Sequence, residues 1–249
     1  MCSGPCIQFA KENLLPKEIA NKKVIEVGAF NVNGSLRDIV EEFRPSHYLG
    51  VDIEEGPGVD EICSIHDLVA RYGYEAFDLV IATEILEHIS DWRSAISNLK
   101  NITKPEGMLI VTTRSKNVAY HGYPYDFWRY ELEDMKNIFS DFSIEVIEKD
   151  PLDPGVFVKL RKPKDFREND LGAYKLYSVV KYMRCKNVSE MESHLFKCLF
   201  KASMPARRFL SRVLPPSAVK AIKSLLREEI QMPAARPQAW NNTDGSKRT

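Results

Sequence analysis

Short apolar runs of strand character alternate with amphipathic helical patterns through residues 1–165, and nothing else in the sequence constrains the fold as tightly. Apolar strands separated by whole helices cannot pair as hairpins, so they must pair in parallel through crossovers. Strands are predicted at Lys23–Gly28, Tyr48–Asp52, Glu61–Ile65, Phe77–Ala82 and Met108–Thr113. One helix is expected to open at Ser35 with a Ser-x-x-Asp capping box completed by Asp38, burying Leu36, Ile39, Val40 and Phe43. A second starts near Asp91 with Trp92, Ala95, Ile96 and Leu99 inward, and a third carries Leu132, Met135, Ile138 and Phe139. Glu54–Asp60 and Lys104–Gly107 read as turns. Two further β-rich runs, Phe142–Glu148 and Gly155–Arg161, have only a short turn between them. They are expected to form an antiparallel pair at the sheet edge.

After Pro163 the pattern changes. Residues 1–165 are expected to be one domain, 166–231 a helical and basic C-terminal extension without strands, and 232–249 a disordered tail. Residues 181–231 carry eleven Lys/Arg against four Asp/Glu, whereas the first 180 residues hold 21 basic and 30 acidic side chains. An acidic body does not track a nucleic-acid backbone, so no nucleic-acid partner is expected. The five cysteines, Cys2, Cys6, Cys63, Cys185 and Cys198, are odd in number and widely spaced, which suits neither a disulfide framework nor a four-ligand zinc site. Cys2 and Cys6 are read as untethered N-terminal thiols. There is neither a signal-peptide pattern nor a membrane-length apolar run, so a cytoplasmic location is expected.

The chemistry is concentrated at strand ends. Glu26-Val27-Gly28 closes the first strand and leads through a short loop into a helix, whose N-terminus suits a carboxylate or phosphate. Asp52 stands at the end of the second strand, where an acid accepts hydrogen bonds from ribose hydroxyls. The dinucleotide fingerprint G-x-G-x-x-G is absent, which favours a nucleoside cofactor without phosphates, such as S-adenosylmethionine.

The strings VIEVGAFNVNGS, YLGVDIEEGPGVD, FDLVIATEILEHISDW and ITKPEGMLIVTTR, followed by YPYDFWRYELEDM, resemble the class I S-adenosylmethionine-dependent methyltransferases over roughly residues 20–162. Within them the chain is similar to the type 11-like branch with an E-x-L-E-H block. The resemblance implies a Rossmann-like α/β fold: a mostly parallel seven-stranded sheet with a terminal antiparallel hairpin. It implies Glu26 and Gly28 at the methionine end of the cofactor, Asp52 and Ile53 at the ribose, Ser64 and Ile65 with His66 along the adenine, and Thr83 and Glu84 beneath the methionine. Phe30 and Val32 stand where the family has its second and third glycines, with Gly34 following late.

For the acceptor side, His88 and His121 are the candidate general bases, with Asp126 behind them. Tyr123, Asp126 and Arg129 are candidate substrate contacts in an aromatic loop that also holds Tyr125, Phe127, Trp128 and Tyr130. The alternative is that the rings staple the loop to the sheet. Glu84, Glu87 and His88 are a donor set that can hold Mg²⁺ or a transition metal, but they are read as a structural and cofactor-side cluster with Glu87 toward solvent, and no metal is assigned. The expected function is methyl transfer, as O-methylation, to a small-molecule or glycan acceptor. The rival reading is a non-catalytic binding or adaptor module. Residues 195–230 are a basic amphipathic segment that packs on the body or lies peripherally on an inner membrane surface.

Overall fold

A computed structural model of the chain describes residues 3–122, 125–189 and 191–201. Its main sheet has seven strands in the order β3-β2-β1-β4-β5-β8-β7. These are β1 (Lys23–Val27), β2 (His47–Asp52), β3 (Glu61–Ile62), β4 (Phe77–Thr83), β5 (Thr103–Arg114), β7 (Ser143–Lys149) and β8 (Gly155–Arg161). β1 through β5 pair in parallel, while β8 runs antiparallel to both β5 and β7. The predicted α/β class, the parallel core and the terminal hairpin are all present. β4 and β8 are buried at nearly every position, as strands covered on both faces must be.

Two cores flank the sheet. On one face α4 (Leu68–Tyr72), α5 (Trp92–Ile102) and α6 (Leu132–Ile138) cover Ile25, Val80 and Val111. α5 starts where Asp91 accepts the backbone N–H of Ser94 at 3.3 Å, and it buries Trp92, Ala95, Ile96 and Leu99 as the apolar spacing requires. On the other face α3 (Arg37–Glu42) supplies Ile39 and Val40, and α1 (Gly4–Asn13) supplies Cys6, Phe9 and Ala10. Ile19 on the four-residue α2 (Pro16–Ile19) completes this core. The Phe9 and Phe157 rings meet at 5.4 Å.

Several expectations are corrected. α3 begins at Arg37, not Ser35, and Asp38 makes no cap: the Ser35 hydroxyl accepts the N–H of Arg37 and donates to Glu26 Oε2, both at 3.0 Å. Lys104–Gly107 belongs to β5, but as a bulge, because Phe77 faces Thr103 while Leu79 already faces Met108. Cys6 is no untethered thiol. It is fully buried, with its sulfur 3.3 Å from the Thr112 hydroxyl. Cys2 lies outside the described residues.

The extension is not all helical. β9 (Leu176–Ser178) and β10 (Met183–Cys185) join β6 (Trp128–Arg129) in a separate antiparallel sheet of order β10-β9-β6. Residues up to Lys197 form one compact unit with the main sheet. Arg93 on α5 fastens the segment by donating to the carbonyls of Leu171 at 2.8 Å and Lys186 at 2.9 Å. Buried Lys100 adds bonds to Asp141 at 2.6 Å and Asn169 at 2.8 Å. Such side-chain ties to irregular backbone carry no period, so the sequence pattern did not show them. Residues 191–201 are helical. The rest of the basic segment and the expected tail lie outside the described residues. No described helix is long and apolar enough to cross a membrane.

Candidate functional site

The strand order reverses between β1 and β4, and a ligand crevice is expected beyond the carboxyl ends of strands at such a point. A cleft of about 510 Å³ opens there, well inside the size range of small-molecule sites. Gly28, Asp52, Ile53, Ser64, Ile65, Glu84 and His88 all line it. Glu26 and Thr83 do not line this cleft. They are buried beneath it, 2% and 1% exposed.

Gly28 terminates β1 at φ +81°, and a Cβ there would sit 2.8 Å from Ile85 Cδ1. The backbone angle favours glycine, and a side chain there would also force Ile85 to shift. Asp52 closes the other side. Its Oδ2 accepts the Phe30 N–H at 3.0 Å and its Oδ1 the Ile53 N–H at 2.7 Å. Glu26 accepts hydrogen bonds from the Ser35 and Tyr48 hydroxyls and so fastens the loop after β1 to β2. Burial pushes its carboxyl up, and the two hydroxyls oppose that. Phe30, in the position of a family glycine, lies against Gly56, where any Cβ would run into its ring. The bulk gained in one loop is matched by a glycine in the next.

S-adenosylmethionine fits these residues. A glycine at the first strand end, a carboxylate at the second and the apolar Ile53 and Ile65 suit its phosphate-free adenosine moiety.

Glu84 follows β4 with φ +53°, a left-handed conformation costly for a non-glycine residue and concentrated at functional sites. Its carboxylate pairs with the Arg114 guanidinium, whose NH1 also meets Asp150 Oδ2 at 3.0 Å. Burial, and after it the negative charge of Glu87, raises the Glu84 carboxyl above the ordinary carboxylate range. Glu87 does not face solvent as expected. It is fully buried, and its Oε2 accepts the Thr113 hydroxyl at 2.9 Å.

A smaller cavity of about 120 Å³ shares Glu84 and His88 with the main cleft and adds Ser3, Asn33, Glu87, Arg114 and His121. The His88 and His121 rings stand edge to face with centroids 5.0 Å apart. His88 Nδ1 lies 2.7 Å from the Tyr125 carbonyl. His121 Nδ1 lies 3.1 Å from both the Ala119 carbonyl and Asp126 Oδ2. With acceptors facing both Nδ1 atoms, the neutral form of each imidazole carries its proton there and has its lone pair at Nε2, and His121 Nε2 lies 3.9 Å from Glu87 Oε1. Burial opposes the His121 imidazolium, but the hydrogen bond and charge of Asp126 outweigh it, so His121 titrates above an ordinary histidine.

Asp126 and Arg129 line neither cavity. They form a buried ion pair, and Arg129 also donates to the Trp128 carbonyl at 2.7 Å. The structure thus places Asp126 behind His121 and Arg129 behind Asp126. Tyr123 lies outside the described residues.

Glu87, His88 and His121 each offer a ligand atom within 4.8 Å of the others. Glu87 Oε1 and His88 Nε2 are buried without a hydrogen-bond partner. Two imidazoles and a carboxylate form a donor set suited to a first-row transition ion. The sequence reading underrated Glu87 because spacing alone does not show which way a residue after a strand end points. It also missed Ile85, Ile89, Ser90 and Ser193 as lining residues. Ile85 lies inside the E-x-L-E-H block and Ile89 and Ser90 follow it, whereas Ser193 carries no sequence signal.

Comparison with known proteins agrees with this geometry. A family model described as a methyltransferase domain matches residues 6–149. A ubiquinone biosynthesis O-methyltransferase of Chromobacterium violaceum is 29% identical over 113 residues, 40% of this chain and 47% of the relative. The protein of the same name from Stutzerimonas stutzeri is 25% identical over 137 residues, 50% of this chain and 58% of the relative. The chain therefore spans about half the length of these curated relatives. The solved structure of the [4+2]-cyclase SpnF superposes with a TM-score of 0.50 at 16% identity, covering 63% of this chain and 79% of that one, and shows the shared fold. From the matched domain, the strand order and the cleft together, the chain belongs to the methyltransferase domain family, built on the class I fold whose methyl donor is S-adenosylmethionine.

Proposed function

We propose that the chain transfers a methyl group to a hydroxyl of a small-molecule acceptor. The observation that carries this reading is a pair of imidazoles with their rings 5.0 Å apart, each with Nδ1 tied back, of which His88 lines both cavities and His121 the smaller one beside it. Bound S-adenosylmethionine would supply an activated methyl. Gly28, Asp52, Ile53, Ser64 and Ile65 would hold it, with Glu84 and the buried Thr83 beneath. His88 would orient the acceptor oxygen, and His121 would take its proton, with Asp126 stabilising the imidazolium that forms. The names of the curated relatives support oxygen as the methylated atom.

The test is calorimetry with S-adenosylmethionine, followed by methyl-transfer assays across hydroxylated acceptors. His88→Ala and His121→Ala should lower kcat by about 10²–10⁴-fold while the cofactor Kd stays within a few-fold. Cofactor binding without transfer to any hydroxyl would favour the adaptor reading.

A second reading is favoured by Glu87 Oε1 and His88 Nε2, both buried without a hydrogen-bond partner: a divalent ion held by Glu87, His88 and His121 would polarise the acceptor oxygen in place of a free base. Metal analysis of the purified protein and a chelator titration separate the two. Activity lost to the chelator and restored by Mn²⁺ or Zn²⁺ selects the metal.

A further inference from the structure

The methyl-donor half of the cleft comes from the matched domain, but part of the opposite wall does not. Ser193, well beyond the matched residues 6–149, lines the cleft together with Tyr125 and Phe127. It is 2% exposed, so the helical residues around it close the cleft from solvent at that point. Its hydroxyl donates to the Ser189 carbonyl at 3.2 Å and leaves only lone pairs for a ligand.

Four contacts hold this roof in place. The Phe196 ring lies against Tyr120 at 5.1 Å and Tyr182 at 5.9 Å. The Lys197 ammonium sits 4.7 Å over the Tyr125 ring. The Val179 N–H donates to the Phe127 carbonyl at 3.0 Å, next to the β6–β9 pairing. The loop that carries the lining rings and the segment that carries Ser193 are therefore built as one wall.

The chemistry of that wall is selective. Ile85, Ile89, Tyr125 and Phe127 make it apolar, with the two rings 5.8 Å apart. Its polar groups are His88, Ser90 and Ser193, with Glu84 at the boundary. A sugar would bring a hydroxyl on nearly every carbon, and hydroxyls left without partners in such a place are costly. A flat ring with one or two hydroxyls matches both the apolar faces and the few acceptors.

We propose that this half of the cleft is a subsite for a hydroxylated aromatic acceptor, and that Ser193, held by Phe196, sets its specificity. The proposal rests on the methyltransferase reading and narrows its substrate class. Ser193 contacts the acceptor, and Phe196 is a positioning residue.

The test uses the full chain saturated with S-adenosylhomocysteine and titrated with 2-naphthol, a flat fluorescent phenol. Wild type should bind the probe, and methyl α-D-glucopyranoside should not displace it. Ser193→Leu should weaken probe binding at least tenfold by filling the cleft. Phe196→Ala should weaken it less. The S-adenosylhomocysteine Kd should change under threefold in both, which also reports that they fold. Ser193→Val, with less added bulk, answers the question if leucine is not tolerated. No probe binding by loaded wild type, unchanged binding in the variants, or displacement by the glucoside would overturn the inference. Failure of wild type to bind S-adenosylhomocysteine would instead overturn the cofactor reading beneath it.

Discussion

Asp52 Oδ2 accepts the backbone N–H of Phe30 at 3.0 Å, so the acid at the end of β2 and the loop after β1 are joined before any cofactor arrives. Asp52→Ala removes this tie together with the carboxylate proposed to accept the ribose hydroxyls. The expected loss of S-adenosylmethionine affinity is about 1–3 kcal/mol, read by calorimetry. Faster amide exchange at Phe30 in the variant would show the second contribution separately.

Gly28→Ala is expected to cost about 1–2 kcal/mol from the left-handed backbone angle alone, plus the clash with Ile85. Urea denaturation measures it. The double variant Gly28→Ala, Ile85→Ala relieves the clash but not the angle, so it should recover part of the steric share while opening a cavity of its own.

Lys100 is fully buried, and its ammonium meets Asp141, the Ile138 carbonyl and Asn169 within 2.8 Å. Lys100→Met leaves the Asp141 carboxylate buried without its partner. The expected destabilisation is about 3–5 kcal/mol. Because the same ammonium ties down residue 169, limited proteolysis should cut first near that residue.

His121 and Asp126 set a pH window. His121 is raised, so its contribution to stability is fully present below about pH 6.5 and is lost as pH rises through the folded value. Asp126 is lowered: burial pushes its carboxyl up, but the Arg129 and His121 hydrogen bonds and charges prevail. Its contribution is present above about pH 3.9 and is lost as pH falls toward the folded value. The pair should therefore stabilise the fold most between about pH 4 and about pH 6.5. In an NMR titration His121 should have a midpoint above about 6.5 that falls in Asp126→Asn. An unshifted midpoint in the variant would remove Asp126 as its partner.

How far the sequence reached depended on whether a residue acts through a local pattern. Leu36, Ile39 and Val40, or Trp92, Ala95, Ile96 and Leu99, repeat at helical spacing and are buried as expected. Gly28 and Asp52 were legible because strand ends are local features, and both line the cleft. The placement of Arg129 was not legible. Amid aromatic residues an arginine reads equally as a ligand contact or an internal tie, and only the fold puts Asp126 beside it. β9 and β10, three residues each, are too short to show a period of two, and they exist because β6 offers β9 an edge and β9 offers one to β10. Ser193 reached the cleft through that same sheet, about which no neighbouring residue gives notice.

β8 is the last of the seven strands to be synthesised, yet it lies between β5 and β7. A chain leaving the ribosome presents β7 before β8, and β7 has no partner in the main sheet until residues 155–161 follow. Until then the sheet ends at β5, with one side of that strand unpaired. Closure requires the final strand to slide into a gap between two that are already made. A chain in which β8 has not yet docked thus leaves β5 and β7 unpaired along the edges it will fill, and that intermediate is the one in which association with a neighbouring chain is hardest to avoid.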